Sequence, residues 1–225
     1  AKTLPFVIPA ADTPVQPADK VRAIYCAAYG VTPEGVWFDN WGSQARGEKL
    51  KDASGNDLFY LTNYANNQWG GICGFEVEPG TGKYLHVDIY GDAAPGNITI
   101  YPVWKAVAEG GASIEGTHIT KEIQPEQWNY IDIPLSEFGY PDNGGLIVFQ
   151  VAFTNSSLSN FAVNNLYFWS DDVITGVEAV AADGSAPVDV YTLQGVKVRS
   201  GVAEASALDG LPGGVYIVGG IKVAK

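Results

Sequence analysis

Residues 82–92 read GKYLHVDIYGD. In an extended chain Leu85, Val87 and Ile89 fall on one side, and Tyr84, His86, Asp88 and Tyr90 on the other. That two-residue period predicts a β-strand with one face on a core, closed by glycine at either end. The pattern recurs downstream. In GNITIYPVWK (96–105) Ile98 and Ile100 point one way and Thr99 and Tyr101 the other. In EQWNYIDIPLSEF (126–138) Ile131 and Ile133 read inward, Tyr130 and Asp132 outward. GGLIVFQVAF (144–153) is almost continuously apolar, as expected of a central strand covered on both sides. VRAIYCAAYG (21–30), EKLKDASGNDLFYLTNY (48–64) with its Ser-Gly-Asn turn, and NFAVNNLYFWSDD (160–172) add further short strands. No segment keeps a helical period.

Composition points the same way. Charged residues make up only 17% of the chain, against 27 Gly and 12 Tyr, which suits short strands joined by tight turns better than helices. The expected fold is all-β: an antiparallel β-sandwich of jelly-roll type over residues 20–172, followed by a small all-β C-terminal domain over 173–225. Residues 1–19, rich in proline, read as an extended arm or linker. TGVEAVAADGSAPV marks a hinge near 171–186. The roughly forty residues beyond it are too few to bury much core alone. They are expected to dock on the main domain, to form a mini-sandwich of modest stability, or to serve as an address.

A formal net charge of −12 with no Lys/Arg cluster argues against nucleic acid or an anionic membrane surface as partner. A neutral ligand, a cation or plain solubility fits better. No apolar run approaches the ~20 residues that span a bilayer, so membrane insertion is not expected. Cys26 and Cys73 sit in strand-like apolar contexts, as two buried small hydrophobes or as a single disulfide. His86 and His118 show no metal-ligand spacing and read as surface or pairing residues. No Ser-His-Asp order, phosphate loop or Cys-His dyad stands out. Asp39, Glu76, Glu78 and Asp88 could supply a glycosidase's two carboxylates, but such pairs arise by chance in any acidic chain. No catalytic residues are assigned.

Two stretches carry recognition chemistry. LTNYANNQWGGICGFEV (61–77) gathers Tyr64 and Trp69 as flat platforms, with Asn63, Asn67 and Gln68 beside them. GVWFDNWGSQ (35–44) offers Trp37, Asp39, Asn40, Trp41 and Gln44. Sugars present C–H patches on their faces and hydroxyls at their edges, which aromatic rings and amides or carboxylates match respectively. If the two loops meet, they form a small aromatic cleft. The alternative reading has Trp37, Phe38 or Trp41 plugging the end of the sandwich. A second candidate is a sheet face bearing Tyr84, His86, Tyr90, Tyr101, Tyr130 and Gln150, which could line a groove for an extended glycan or simply pair across strands.

The segments VRAIYCAAYG, NWGSQ, YLHVDIY, WNYIDIPLSEF and VNNLYFW, in that order, resemble the jelly-roll carbohydrate-binding modules that accompany glycan-degrading enzymes in bacteria. The resemblance implies a β-sandwich that binds polysaccharide or oligosaccharide, often with a structural calcium ion. That family places an acidic residue soon after the aliphatic pair of the first strand, and another just before N-[IL]-Y-F. This chain has Ala27 and Asn164 there, and no metal ligand is assigned. The C-terminal VY-x-LQG-x-x-V followed by GLP-x-G-x-Y-I-V resembles the sorting domains of type IX secretion. It implies an extracellular or outer-cell-surface location. The expected function is non-catalytic glycan binding. A structural or adhesive surface protein, docking to other proteins and threading its arm into a neighbour, is the alternative.

Overall fold

The computed structural model describes residues 7–31, 34–106, 112–142, 144–154, 156–171, 188–192, 196–203, 206–213, 215–218 and 221–225. Side chains are not described at 215, 221, 222 and 224. The hinge near 171–186, apart from Asp171, and the Leu193-Gln194-Gly195 part of the C-terminal motif lie outside the described residues. The chain divides into two units, Ala1–Gly176 and Val177–Lys225.

The larger unit is a two-sheet antiparallel sandwich. Its first sheet runs β10 (Trp128–Pro134), β6 (Tyr84–Gly91), β12 (Phe161–Trp169), β4 (Asp57–Thr62), β3 (Arg46–Lys51), with β1 (Val21–Tyr25) also paired to β12. The second runs β2 (Trp37–Asp39), β5 (Gly70–Val77), β11 (Leu146–Thr154), β7 (Gly96–Ala106), β8 (Ile114–Glu115), with β9 (Ile119–Ile123) also on β7. The alternation read from the sequence places the core. Leu85, Val87, Ile89 and Ile133 of the first sheet face Ile98, Ile100, Val151 and Phe153 of the second, all fully buried. Burying one such side chain contributes about 1.5–3 kcal/mol.

β11 departs from its expected form. A bulge between Val148 and Gln150 offsets its pairing with both neighbours. Val148 stays in the core, while Phe149 and Gln150 are only half-buried. The outer side of this strand is therefore open to solvent in part, not covered on both faces.

From Val7 on, the proline-rich arm lies as a strap across its own first sheet. Ile8 is buried with Leu58, Trp128 and Ala162. Ala53 N–H donates to Ile8 O at 2.9 Å, and Trp128 Nε1–H to Pro9 O at 2.8 Å. Tyr29 Oη–H and Tyr167 Oη–H close on the main-chain and side-chain oxygens of Gln16 at 2.8 Å each. Prolines at 9, 14 and 17 bring no N–H that would need a strand partner, so the arm lies down without joining the sheet.

Beneath the strap runs a polar chain. His86 bonds Asp132 through Nδ1 and Asp88 through Nε2, each at 2.8 Å. Asn165 Nδ2 donates to Asp88 Oδ2 at 2.7 Å and to the arm at Asp12 O at 3.1 Å. Trp169 Nε1–H reaches Asp132 at 2.6 Å, and the His86 ring stacks on Tyr167 at 4.4 Å. His86, expected to be a surface or pairing residue, pairs with two carboxylates and is almost wholly buried. Burial alone would lower its pKa, but the hydrogen bonds and charges of Asp132 and Asp88 outweigh that and raise it to about 9. Burial pushes the Asp88 carboxyl up against the pull of His86 and Asn165. Burial also acts on Asp132, but His86 and Trp169 hold it below the usual range.

Both thiols are free: Cys73 lies in β5, whereas Cys26 follows β1 in an isolated bridge to Val31, its Sγ–H donating to Asn165 Oδ1 at 3.2 Å. The smaller unit is one antiparallel sheet, β14 (Lys197–Val202), β13 (Val188–Thr192), β15 (Val215–Val218), β16 (Ile221–Ala224). Val188, Val190, Ala207, Tyr216 and Val218 form its core. Tyr216 Oη–H is tied to Pro212 O at 2.9 Å.

Because its folded pKa lies above the ordinary histidine value of 6.5, His86 contributes stability that is complete below 6.5 and is lost as pH rises through about 9. Thermal midpoints measured across that window should fall with pH, and His86→Gln should flatten the slope.

Candidate functional site

The site is built on the outer face of the second sheet. In β2, Trp37 pairs with Cys73, Phe38 with Ile72 and Asp39 with Gly71. Alternation turns Trp37 and Asp39 outward and Phe38 inward, where its ring packs on Gly47 and Gly70. Phe38 is thus the aromatic plug of this end. Trp37, Trp41 and Trp69 remain 53%, 40% and 43% exposed.

Two glycines seat the indoles. A Cβ at Gly74 would fall 2.3 Å from the Trp37 ring and 2.2 Å from Gly35 O, and its φ of +90° already excludes most residues. A Cβ at Gly71 would come within 2.8 Å of the Trp41 ring. Both rings therefore sit against glycine backbone, in space that a side chain would contest.

The two aromatic loops meet. Gln44 N–H donates to Gln68 Oε1 at 2.7 Å, and Ser43 Oγ–H to Trp69 O at 2.5 Å. Asp39 and Asn40, expected as sugar partners, also hold the turn. Asp39 Oδ1 accepts the Trp41 N–H at 2.9 Å, fixing Trp41 at φ 42°. Asn40 bonds Gly42 N and Ala45 O at 3.0 Å each. Asn63 and Asn67 occupy left-handed backbone positions at the surface and line neither hollow described below. Tyr64 is a correction: it is fully buried, edge-on to Phe161 at 4.9 Å and to Phe38 at 6.3 Å, and presents no platform. Asn63, at φ 60° just after β4, breaks the strand alternation ahead of Tyr64, whereas Trp69 follows the turn and stays exposed.

Two adjoining hollows result. One, of ≈ 510 Å³, is lined by Trp37, Asp39, Trp41, Cys73, Gly74, Phe75 and Glu76 with Phe149 and Gln150. The other, of ≈ 400 Å³, is lined by Trp41, Trp69, Tyr101, Val103, Ser113 and Glu115, again with Phe149 and Gln150. Trp41, Phe149 and Gln150 belong to both, so the hollows form one cleft across the strands. Its floor is a separate apolar cluster of Tyr101, Val103 and Ala152 with Phe149 packed against it. Cys73 adds a thiol whose pKa burial pushes up to about 11. His118 lies on Tyr101 at 3.9 Å, nearly parallel. Phe149, Val103 and Glu115 escaped sequence reasoning, because the bulge that exposes Phe149 leaves no mark in an apolar run; Glu76 entered it only as a chance carboxylate.

The second candidate face does not exist as one surface. Tyr101 and Gln150 belong to the cleft. Tyr84, His86, Tyr90 and Tyr130 lie on the other sheet, where Tyr84 stacks on Trp169 at 4.7 Å and Tyr90 meets Trp128 edge-on at 5.5 Å. His86 is buried under the strap, and Tyr130 is exposed beside it.

A third hollow, of ≈ 240 Å³, is lined by Ala11 to Pro14, Ala27, Ala28, Asn56, Asn164 and Asn165. Asn164 Oδ1 already accepts the Asn165 N–H, and Asn165 Oδ1 the Cys26 thiol. Asp12 is its one carboxylate. Calcium takes about 6–8 oxygen ligands, several of them carboxylates, so these residues do not fit it. Among the described residues no group of three His, Cys, Asp or Glu is placed to hold a metal, and no helix is long and apolar enough to cross a membrane.

Gly71→Ala should press on the Trp41 ring and shift the tryptophan emission, at a cost in stability of about 1–3 kcal/mol. Gly74→Ala, strained in backbone as well, should cost more in the same denaturation measurement.

No family model and no curated protein matches the chain. Among solved structures it is similar to a carbohydrate-binding module of the β-sandwich superfamily, noted for promiscuous specificity, at 10% identity and a TM-score of 0.45 over 66% of this chain and 62% of that one. It is also similar to a family 11 carbohydrate-binding module from Clostridium thermocellum in complex with a β-1,3-1,4-mixed-linked tetrasaccharide (18%, 0.40, 60% of this chain and 88% of that). A third is the family 22 module and catalytic module of xylanase 10B from Clostridium thermocellum, complexed with xylohexaose (13%, 0.44, 62% and 27%). The chain thus spans less than two thirds of the first of these and about a quarter of the third.

Proposed function

We propose that this protein binds polysaccharide or oligosaccharide without catalysis, in the cleft on the outer face of the second sheet. One observation carries the reading: three half-exposed indoles stand around a hollowed, apolar-floored sheet surface, two of them seated against glycine backbone. Rings fixed in this way offer sugar faces a surface that loses little freedom on binding. Gln150, half-buried between the two hollows, and the Asp39, Glu76 and Glu115 carboxylates at their walls supply polar partners for hydroxyls. Each of those carboxylates is already engaged: Asp39 by the Trp41 amide, Glu76 by Lys105 and Glu115 by His118. This favours recognition over acid–base chemistry. The C-terminal unit, with its resemblance to sorting domains, supports export to the cell exterior as part of the same reading.

The test is retardation of the full chain in gels containing soluble mixed-linked β-glucan, xylan or other neutral plant and algal glycans, with reducing-sugar release followed in parallel. Trp41→Ala, which opens both hollows, should weaken binding by about tenfold or more. Tyr130→Ala, on the other sheet, should leave it unchanged. Indifference to every glycan, or equal loss from both variants, refutes the cleft as the site; released sugar would restore an enzymatic reading.

A further inference from the structure

We propose that the cleft selects uncharged glycan chains and refuses polyuronates, and that Glu76 sets this refusal by occupying Lys105; the inference rests on the carbohydrate reading above. The described residues that line the two hollows include three carboxylates, Asp39, Glu76 and Glu115, and no Lys, Arg or His. The Lys105 ammonium stands nearby, turned onto one of these carboxylates. Lys105 of β7 reaches across β11, above the Phe149 ring at 5.6 Å, to Glu76 Oε1 of β5 at 2.5 Å. His118 Nε2 lies 3.3 Å from Glu115 Oε2.

An entering sugar carboxylate would meet the Asp39 charge with no cation among the described lining residues to answer it, and would lose its hydration for nothing. A neutral chain has hydroxyls that donate to the same carboxylate oxygens. The formal charge of −12 over the whole chain adds repulsion at longer range. Exposed pairs such as Lys105–Glu76 stabilise the fold little. Their effect here is on the sign of the field inside the cleft.

The experiment is calorimetric titration of the full chain with a mixed-linked β-glucan oligosaccharide, a xylo-oligosaccharide and an oligogalacturonate of equal length, at two salt concentrations. At least one neutral chain should bind with an affinity indifferent to salt. The oligogalacturonate should bind at least about tenfold more weakly, with the gap narrowing as salt is added. Glu76→Gln releases Lys105 and should raise oligogalacturonate affinity relative to the neutral chain, and adding Lys105→Ala should abolish that gain. Equal wild-type affinity for the acidic and neutral chains overturns the proposal and leaves carbohydrate binding intact, as does an unchanged ratio in Glu76→Gln. Failure of all three sugars to bind removes the carbohydrate reading itself.

Discussion

A strand that hides alternate side chains between two sheets must display the others, and the fate of those outward rows shapes this molecule. Both rows are rich in large rings. On the first sheet the row is closed over: the arm lies on it, Ile8 drops among Leu58, Trp128 and Ala162, and Asn165 ties Asp88 to the main chain of Asp12. On the second sheet nothing among the described residues lies across the row, and the bulge at Phe149 widens the opening. One sandwich thus has a sealed back and an open front.

The interior was legible because burial enforces a strict period. Leu85, Val87 and Ile89 announce their orientation with no knowledge of their partners, and the same holds for Ile98 and Ile100. The outward row carries no such rule. Tyr84 and Tyr101 look alike in the sequence, each a tyrosine alternating with buried aliphatics, yet one stacks on Trp169 behind the sandwich and the other floors the cleft in front. Which sheet a strand joins is decided by long-range pairing, which leaves no local trace.

The aromatic loops were half legible. Trp37, Trp41 and Trp69 stand where recognition chemistry would need them, but the amides that accompany them serve the backbone. Asp39 and Asn40 cap the turn that holds Trp41 at positive φ, and Gln68 binds one loop to the other. Tyr64 failed as a platform because it precedes the turn, while its hydroxyl and ring go to the core. The glycines of WGGICGF look like turn residues or strand breakers in the sequence. In three dimensions Gly71 and Gly74 are absences of side chain that two indoles fill.

The pairing of Lys105 has a consequence for how the protein is displayed. Coupling a bead or dye through that amine would attach it at the cleft's own wall and take the cation from Glu76, whereas Lys51 of β3 offers an exposed amine on the other sheet.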